Sequence, residues 1–336
     1  MRPTMNDVAE KAGVSIGTVS LVLNDKPGIS TEMRAAVMAA ADDLGYRKPE
    51  RRARVTEEQS ASTSLLVVHF AGREQPFDNV QLTGVLVDYV DSIQEFFQDQ
   101  PVNLTLLTDY REDNVDSLGF RLLENRSLST DGVVLVGPPD RDSRLLNRAI
   151  AEGVPVVVLS RYWPELPISS VSQDHKEAAF IGLEHLLQLG HATIAFLATE
   201  VDRGFEWFEQ RLACYRSALT ARQILDEELI VIGTDGHSAA MDLMARRPDV
   251  TAIFCVHDEV AVRAMEGLQA GGYSIPADVS VIGQDDSAGH LSHLPALTTV
   301  GFPHRKVGQL AAELLMRQVH DDELAYAHVF VRSCLL

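Results

Sequence analysis

The sequence predicts an α/β protein: a small all-helical head, a polar linker, and a body of parallel β-sheet covered by helices. Three observations carry this. The first 46 residues hold three short amphipathic segments divided by turn residues. Residues 48–64 then lose apolar periodicity. Beyond them, apolar runs of strand length alternate with helical segments, and continuous apolar strands separated by helices are buried on both faces.

In the head, Asn6 to Ala12 sets Val8, Ala9 and Ala12 at helical spacing. Ser15 caps a second helix reaching about Asn24. "DKPGIS" is a turn, and Ser30 with Glu32 in the first turn opens a third helix ending near "LGY". Two short helices joined by a tight turn at Gly13, with a third across them, form a helix-turn-helix pattern. In the body, the strand-like runs are "LLVVHFA", "VNLTLLT", "GVVLVG", "VPVVVLS", "TIAFLA", "LIVIG", "TAIFCV" and "VSVIG". Segments such as "EAAFIGLEHLLQLG" and "DEVAVRAMEGLQAGG" supply covering helices. Eight strands fit one large sheet or two smaller ones, and no repeat of 20–50 residues is apparent.

A chain of 336 residues exceeds one compact core, so two or three domains are expected. No apolar run approaches the roughly 20 residues of a membrane span. "MRPTMNDVAEKAG" lacks the apolar core of a secretory leader, which points to a cytoplasmic protein without a membrane partner. Cys214, Cys255 and Cys334 are too scattered for a disulfide framework or a metal site, and no cofactor is expected. The net charge of −19 hides a gradient: residues 1–56 carry nine basic and seven acidic groups, leaving −21 on the remainder. Five of those nine crowd into "RKPERRAR". A basic strip on an acidic body suits a chain that meets a polyanion at one end only.

"GVSIGTVSLVLN" contains no charged side chain. On a helical wheel Val19, Val22 and Leu23 cluster inward, while Gly17, Ser20, Leu21 and Asn24 point away. A solvated face usually carries Lys or Glu. An uncharged outward stripe instead permits a groove contact, hydroxyls and Asn reaching phosphates and Ile or Leu touching thymine methyls.

"NDVAEKAGVSIGTVSLVLNDKPGISTEMRAAVMAAADDLGYR" resembles the DNA-binding domain of the LacI/GalR family of bacterial transcription regulators. The likeness continues through "LEHLLQLGHATIAFLA", "RLACYRSAL", "PADVSVIGQDD" and "LTTV". It implies a helix-turn-helix domain over 1–47, a hinge over 48–63, and a two-lobe periplasmic-binding-protein-like α/β sensor over 64–336. Its chain crossings would fall near Gly190, Gly301 and Arg317, giving lobe one about 64–189 and 301–317, and lobe two about 190–300 and 318–336. Thr4, Ser15, Thr18, Ser20 and Asn24 match phosphate-holding positions; Ile16, Gly17 and Leu21 match base-touching ones. Leu21 departs from the usual Arg of the family, which removes a bidentate guanine contact. "RKPERRAR" resembles the hinge helix that enters the minor groove, with Arg51, Arg52 and Arg54 on phosphate or groove and Val55 or Thr56 where the family has its Leu wedge.

The resemblance also implies a small-molecule effector between the lobes, released or bound by hinge motion. Arg211 matches an arginine gripping hydroxyls or carboxylates, Asp174 and Asp285 match acidic contacts, and Phe77 matches an aromatic wall. His257 stands where the family usually has Asn. Trp163 and Trp207 fall in loops near the same cleft, Trp207 flanked by Phe205 and Phe208. Aromatic faces with carboxylates suit a carbohydrate, and a nucleobase or other metabolite is the alternative. The expected partners are double-stranded DNA with a roughly palindromic operator, the effector, and a second copy of the chain in a homodimer. "VFVRSCLL" lacks the leucine heptads of a tail-built tetramer. An enzyme is not expected. No G-x-G-x-x-G follows a strand, no nucleophile motif appears, and His290 and His293 lack a third metal partner. A free solute-binding protein would need a leader and no helix-turn-helix.

Overall fold

The computed structural model describes residues 3, 5–23, 29–46, 63–71, 80–110, 130–137, 143–286, 295–321 and 326–336. Thr4, Asn24, Arg51, Arg52, Arg54, Val55, Thr56, Phe77, His290 and His293 lie outside them.

The head is three helices: α1 (Met5–Ala12), α2 (Ile16–Leu23) and α3 (Thr31–Leu44). Val8, Val19 and Val37, one from each, are fully buried at the centre of their shared core. The Ser30 hydroxyl accepts the Met33 amide at 3.2 Å and opens α3 as anticipated. Gly45 closes α3 in the left-handed region at φ 65°, donating to the Ala41 and Asp42 carbonyls.

The body resolves the choice left open by the strand runs. It holds two six-stranded sheets, and all eight anticipated runs are strands. The first sheet combines β1 (Thr63–Ala71), β2 (Val102–Tyr110), β3 (Gly132–Val136), β4 (Val156–Leu159), β5 (Ser169–Gln173) and β11 (His328–Val331) in the order β11-β5-β4-β3-β1-β2. Helices α4 (Val80–Phe97), α5 (Arg144–Glu152) and α10 (His304–His320) accompany it. The second takes β6 (Ile194–Thr199), β7 (Ile230–Gly233), β8 (Ala252–Cys255), β9 (Ser280–Asp285), β10 (Thr298–Gly301) and β12 (Cys334–Leu335) in the order β12-β10-β9-β8-β6-β7. It is parallel except for β12, which pairs antiparallel with β10. Its helices are α6 (His175–Gln188), α7 (Glu206–Ala221), α8 (Gly236–Arg246) and α9 (Asp258–Ala270).

Four strands escaped the sequence reading. β5, "SSVSQ", is buried at every position despite its polarity, because each polar side chain finds a partner. Ser169 Oγ accepts from Gln318 at 2.8 Å and from the Ala327 amide at 3.0 Å. Ser170 meets His328 at 2.9 Å, and Ser172 donates to the Arg161 carbonyl at 3.1 Å. β10, β11 and β12 are two to four residues long.

The chain divides into two compact units, residues 1–76, 88–172 and 305–329 in one, and 77–87, 173–304 and 330–336 in the other. The crossing expected near Gly190 falls instead at 172/173. Ala178, Ala179, Leu183 and Leu186 of α6 pack into the same core as Phe196 and Phe254 of the second sheet, so the helix follows that sheet. The crossing expected near Gly301 falls just past it, at 304/305. The one expected near Arg317 falls at 329/330, because α10 continues through Gln318 to bond β5 of the first unit.

Candidate functional site

Within the head, α2 is the one helix without a charged residue. Ser15 precedes it, its hydroxyl accepting the Thr18 amide at 3.1 Å and pairing with the Thr18 hydroxyl at 3.0 Å. Arg34 of α3 donates to the Val22 carbonyl at 3.4 Å, and Lys11 of α1 pairs with Asp43 of α3 at 3.2 Å. The first of these ties α2 to α3 and the second ties α1 to α3. Ile16, Gly17, Thr18 and Leu21 are half-buried and Ser15 is exposed. Ser20 corrects the helical wheel: it is buried, with 3% exposure, beside Val19 and Val22 rather than on the outward stripe. A short helix held by two others buries more of its circumference than a helix packed on one side.

In the second unit, β6 is flanked by β7 on one side and β8 on the other, so successive crossovers leave β6 in opposite directions. A crevice outside the carboxyl ends of the strands at such a switch point is where open parallel sheets take ligands. The register sets those ends level, Leu197 opposite Cys255 and Asp285 opposite Gly301. Here the chain delivers Asp202 after β6, His257 after β8, Asp285 at the end of β9, and Trp207 and Arg211 from the first turns of α7.

Arg211 is only 1% exposed. Its Nη1 donates to the Val256 carbonyl at 2.6 Å and to Asp285 at 3.2 Å, and its Nη2 donates to Asp285 at 2.5 Å. Gln173 Oε1 and His175 Nδ1 lie 3.5 and 3.4 Å from Nη2. The guanidinium carbon stands 5.3 Å from the centre of the Trp207 ring, four residues earlier on the same helical face. Asp285 has φ 102°, a conformation that L side chains avoid. Its carboxylate is clamped by Arg211, and His304 Nε2 donates to its carbonyl at 2.9 Å. Strain of this kind persists where surrounding contacts over-determine it, as at binding sites. Burial raises the Asp285 pKa, but the Arg211 charge and hydrogen bonds outweigh it and hold the group below the ordinary carboxylate range.

A second pair stands beside the first. His257 Nε2 meets Asp202 at 3.1 Å, and His257 Nδ1 lies 3.4 Å from the Val260 amide at the start of α9. Asp202 also accepts the Thr199 amide at 2.7 Å and hydroxyl at 2.8 Å. Burial opposes the charge on both partners, yet their mutual hydrogen bond and attraction prevail: Asp202 is lowered and His257 raised. Phe205 stacks on Trp207 with centroids 5.4 Å apart and planes 17° from parallel, while His257 meets the Trp207 ring edge-on at 5.9 Å.

The second unit thus gathers Trp207, Arg211, His257 and Asp285. Asp174 is in the same unit, but its carboxylate caps α6, accepting the Lys176 and Glu177 amides at 3.0 and 2.9 Å. Trp163 belongs to the first unit, where it packs half-buried against the core of Leu66, Leu135 and Leu146. Phe208, at 2% exposure, is core beside Phe196. Asp202 was missed from the sequence; its signal is the Thr199–Asp202 capping spacing after an apolar strand. Among the described residues no group of three His, Cys, Asp or Glu could hold a metal ion, and no helix is long and apolar enough to cross a membrane.

Comparison with known proteins adds to this geometry. Residues 4–49 match the lacI family of bacterial regulatory proteins, and residues 183–335 match a periplasmic binding protein-like domain. The chain is 32% identical over 327 residues to the HTH-type transcriptional regulator CelR of Thermobifida fusca, covering 95% of this chain and 92% of that one. A solved complex of the transcriptional regulator CelR with cellobiose is similar at 28% identity and TM-score 0.70, covering 100% and 98%. The lac repressor dimer bound to operator and an anti-inducer is similar at 25% identity and TM-score 0.65, with the same coverage.

Proposed function

This chain belongs to the lacI family of bacterial regulatory proteins, and from that premise we propose that it is a cytoplasmic, homodimeric repressor whose hold on a roughly palindromic operator responds to a small carbohydrate. Its work is binding and conformational coupling, not catalysis. The head takes residues 1–47, the hinge 48–63 and the sensor 64–336. Ile16, Gly17 and Leu21 meet base edges through shape and apolar contact, Ser15 and Thr18 meet phosphates together with Thr4 and Asn24, and Arg51, Arg52 and Arg54 supply salt-dependent attraction with Val55 as the wedge.

One observation carries the reading. A charge-free helix on a helix-turn-helix head shares a chain with a parallel sheet whose switch point gathers Asp285, His257 and Trp207. Carboxylate oxygens beside aromatic surface fit the hydroxyl rim and C–H face of a sugar, and the relative solved with cellobiose supports that class. A nucleobase is the second reading, favoured by the Phe205–Trp207 stack.

Selection of DNA by the full-length protein from a random pool tests the first half. The expected outcome is enrichment of two inverted half-sites lacking an obligatory guanine at the base facing Leu21. A pool that emerges unenriched would contradict the assignment.

A further inference from the structure

In the crevice at the carboxyl end of the second sheet, two titratable groups with an exposed edge, Asp285 and His257, are each backed by a buried partner of opposite sign. The Asp285 side chain is 29% exposed over Arg211 at 2%, and the His257 side chain is 16% exposed over Asp202 at 4%. Both terminal nitrogens of Arg211 are already engaged by Val256, Asp285 and their neighbours. An incoming carboxylate or phosphate would reach the guanidinium only by displacing Asp285. The Arg211 Nε–H is unpaired among the described residues but fully buried, and His257 has no spare N–H, with Nε2 on Asp202 and Nδ1 accepting the Val260 amide. His175 Nδ1 lies 3.4 Å from Arg211 Nη2, and the His175 charge adds to the attraction that lowers Asp285.

Among the described residues of this crevice, Arg211 stands with two carboxylates, Asp285 and Asp202, and the carboxylate with an exposed edge is Asp285. Glu259 adds a further negative influence on His257, and Arg203 is itself paired with Glu200 at 2.7 Å. What remains open is acceptor capacity: the Asp285 oxygens hold more lone pairs than Arg211 uses.

Resting on the carbohydrate reading above, we infer that this crevice selects uncharged polyhydroxylated ligands, whose hydroxyls donate to Asp285, and excludes the matching acids and phosphate esters. Asp285 is the specificity-determining residue; Arg211 and Asp202 are positioning residues. Selectivity of this kind comes from repulsion and unpaired charge in the wrong complex as much as from attraction in the right one.

The test is calorimetric titration of the full-length protein at pH 7 with neutral and anionic partners: galactose and galacturonate, glucose and glucose 6-phosphate, cellobiose and cellobionate, adenosine and adenosine monophosphate. Within any pair that binds, the neutral member is expected to bind at least tenfold more tightly. Asp285→Asn, checked for folding by circular dichroism, should reduce that ratio below tenfold by releasing Arg211. An anionic member bound within tenfold of its neutral partner, or more tightly, overturns the inference in the wild-type protein without recourse to a variant. If adenosine alone binds among the neutral members, the carbohydrate class falls while exclusion of anions stands; if no member binds, both fall.

Discussion

The sequence singled out Arg211 as a candidate ligand contact, but its environment was not legible there. It is 1% exposed, its terminal nitrogens are taken by protein acceptors, and the exposed edge of the pair belongs to Asp285. Replacement by Met would leave Asp285 at φ 102° without its clamp. Breaking a fully buried pair costs about 3–5 kcal/mol. With Asp285 partly in water, Arg211→Met should lower stability in urea unfolding by about 2–4 kcal/mol. The neighbouring pair predicts a pH dependence. Asp202 is lowered, so its contribution is present at neutral pH and lost as pH falls below the ordinary carboxylate value of about 4. His257 is raised, so its contribution is complete below about 6.5 and is lost as pH climbs through the raised value. The stability difference between wild type and His257→Asn should therefore be largest near pH 5–6 and shrink above neutrality; growth with pH would contradict the pairing. In the head, Leu21→Arg restores a forked donor on α2. The selected half-site should then acquire a guanine worth about 1–3 kcal/mol of discrimination, read from binding to matched and mismatched duplexes.

At the scale of elements, legibility followed apolar content. Eight strands announced themselves because buried parallel strands are runs of Val, Ile and Leu. β5 did not, because its serines are buried through hydrogen bonds to distant chain: Ser169 to Gln318 and Ala327, and Ser170 to His328. No local pattern encodes a partner about 150 residues away. The crossing at 172/173 was displaced for a related reason, since the amphipathic pattern of α6 gives a buried face but not the sheet that receives it. Cap chemistry was legible, and α3 makes it testable. Ser30 supplies an oxygen to the Met33 amide, and Gly45 adopts φ 65°. Ser30→Ala and Gly45→Ala should each destabilise the head by about 1 kcal/mol. Amide hydrogen exchange across α3 checks this, with faster exchange expected than in a Met38→Ala control at an exposed site.

For the whole molecule, the uneven charge is the organising fact. A body of net charge −21 beyond residue 56 repels the polyanion that the head must approach, and on the proposed reading affinity depends on the arginines of 51–54 acting together with a neutral, shape-reading α2. On the proposed roles, replacing Arg51, Arg52 and Arg54 by Gln in both subunits removes up to six phosphate contacts. The slope of log affinity against log salt should flatten by up to about 5, while the preferred operator sequence stays the same. The central claim is that occupancy of the second sheet's crevice and grip on DNA are coupled. Coupling between sites of this kind is typically about 5–150-fold. The most direct measurement is an anisotropy titration of full-length protein on its selected operator, with and without a saturating concentration of the neutral sugar that binds it. The account predicts that the two isotherms separate by about fivefold or more in affinity; superimposed isotherms would contradict it.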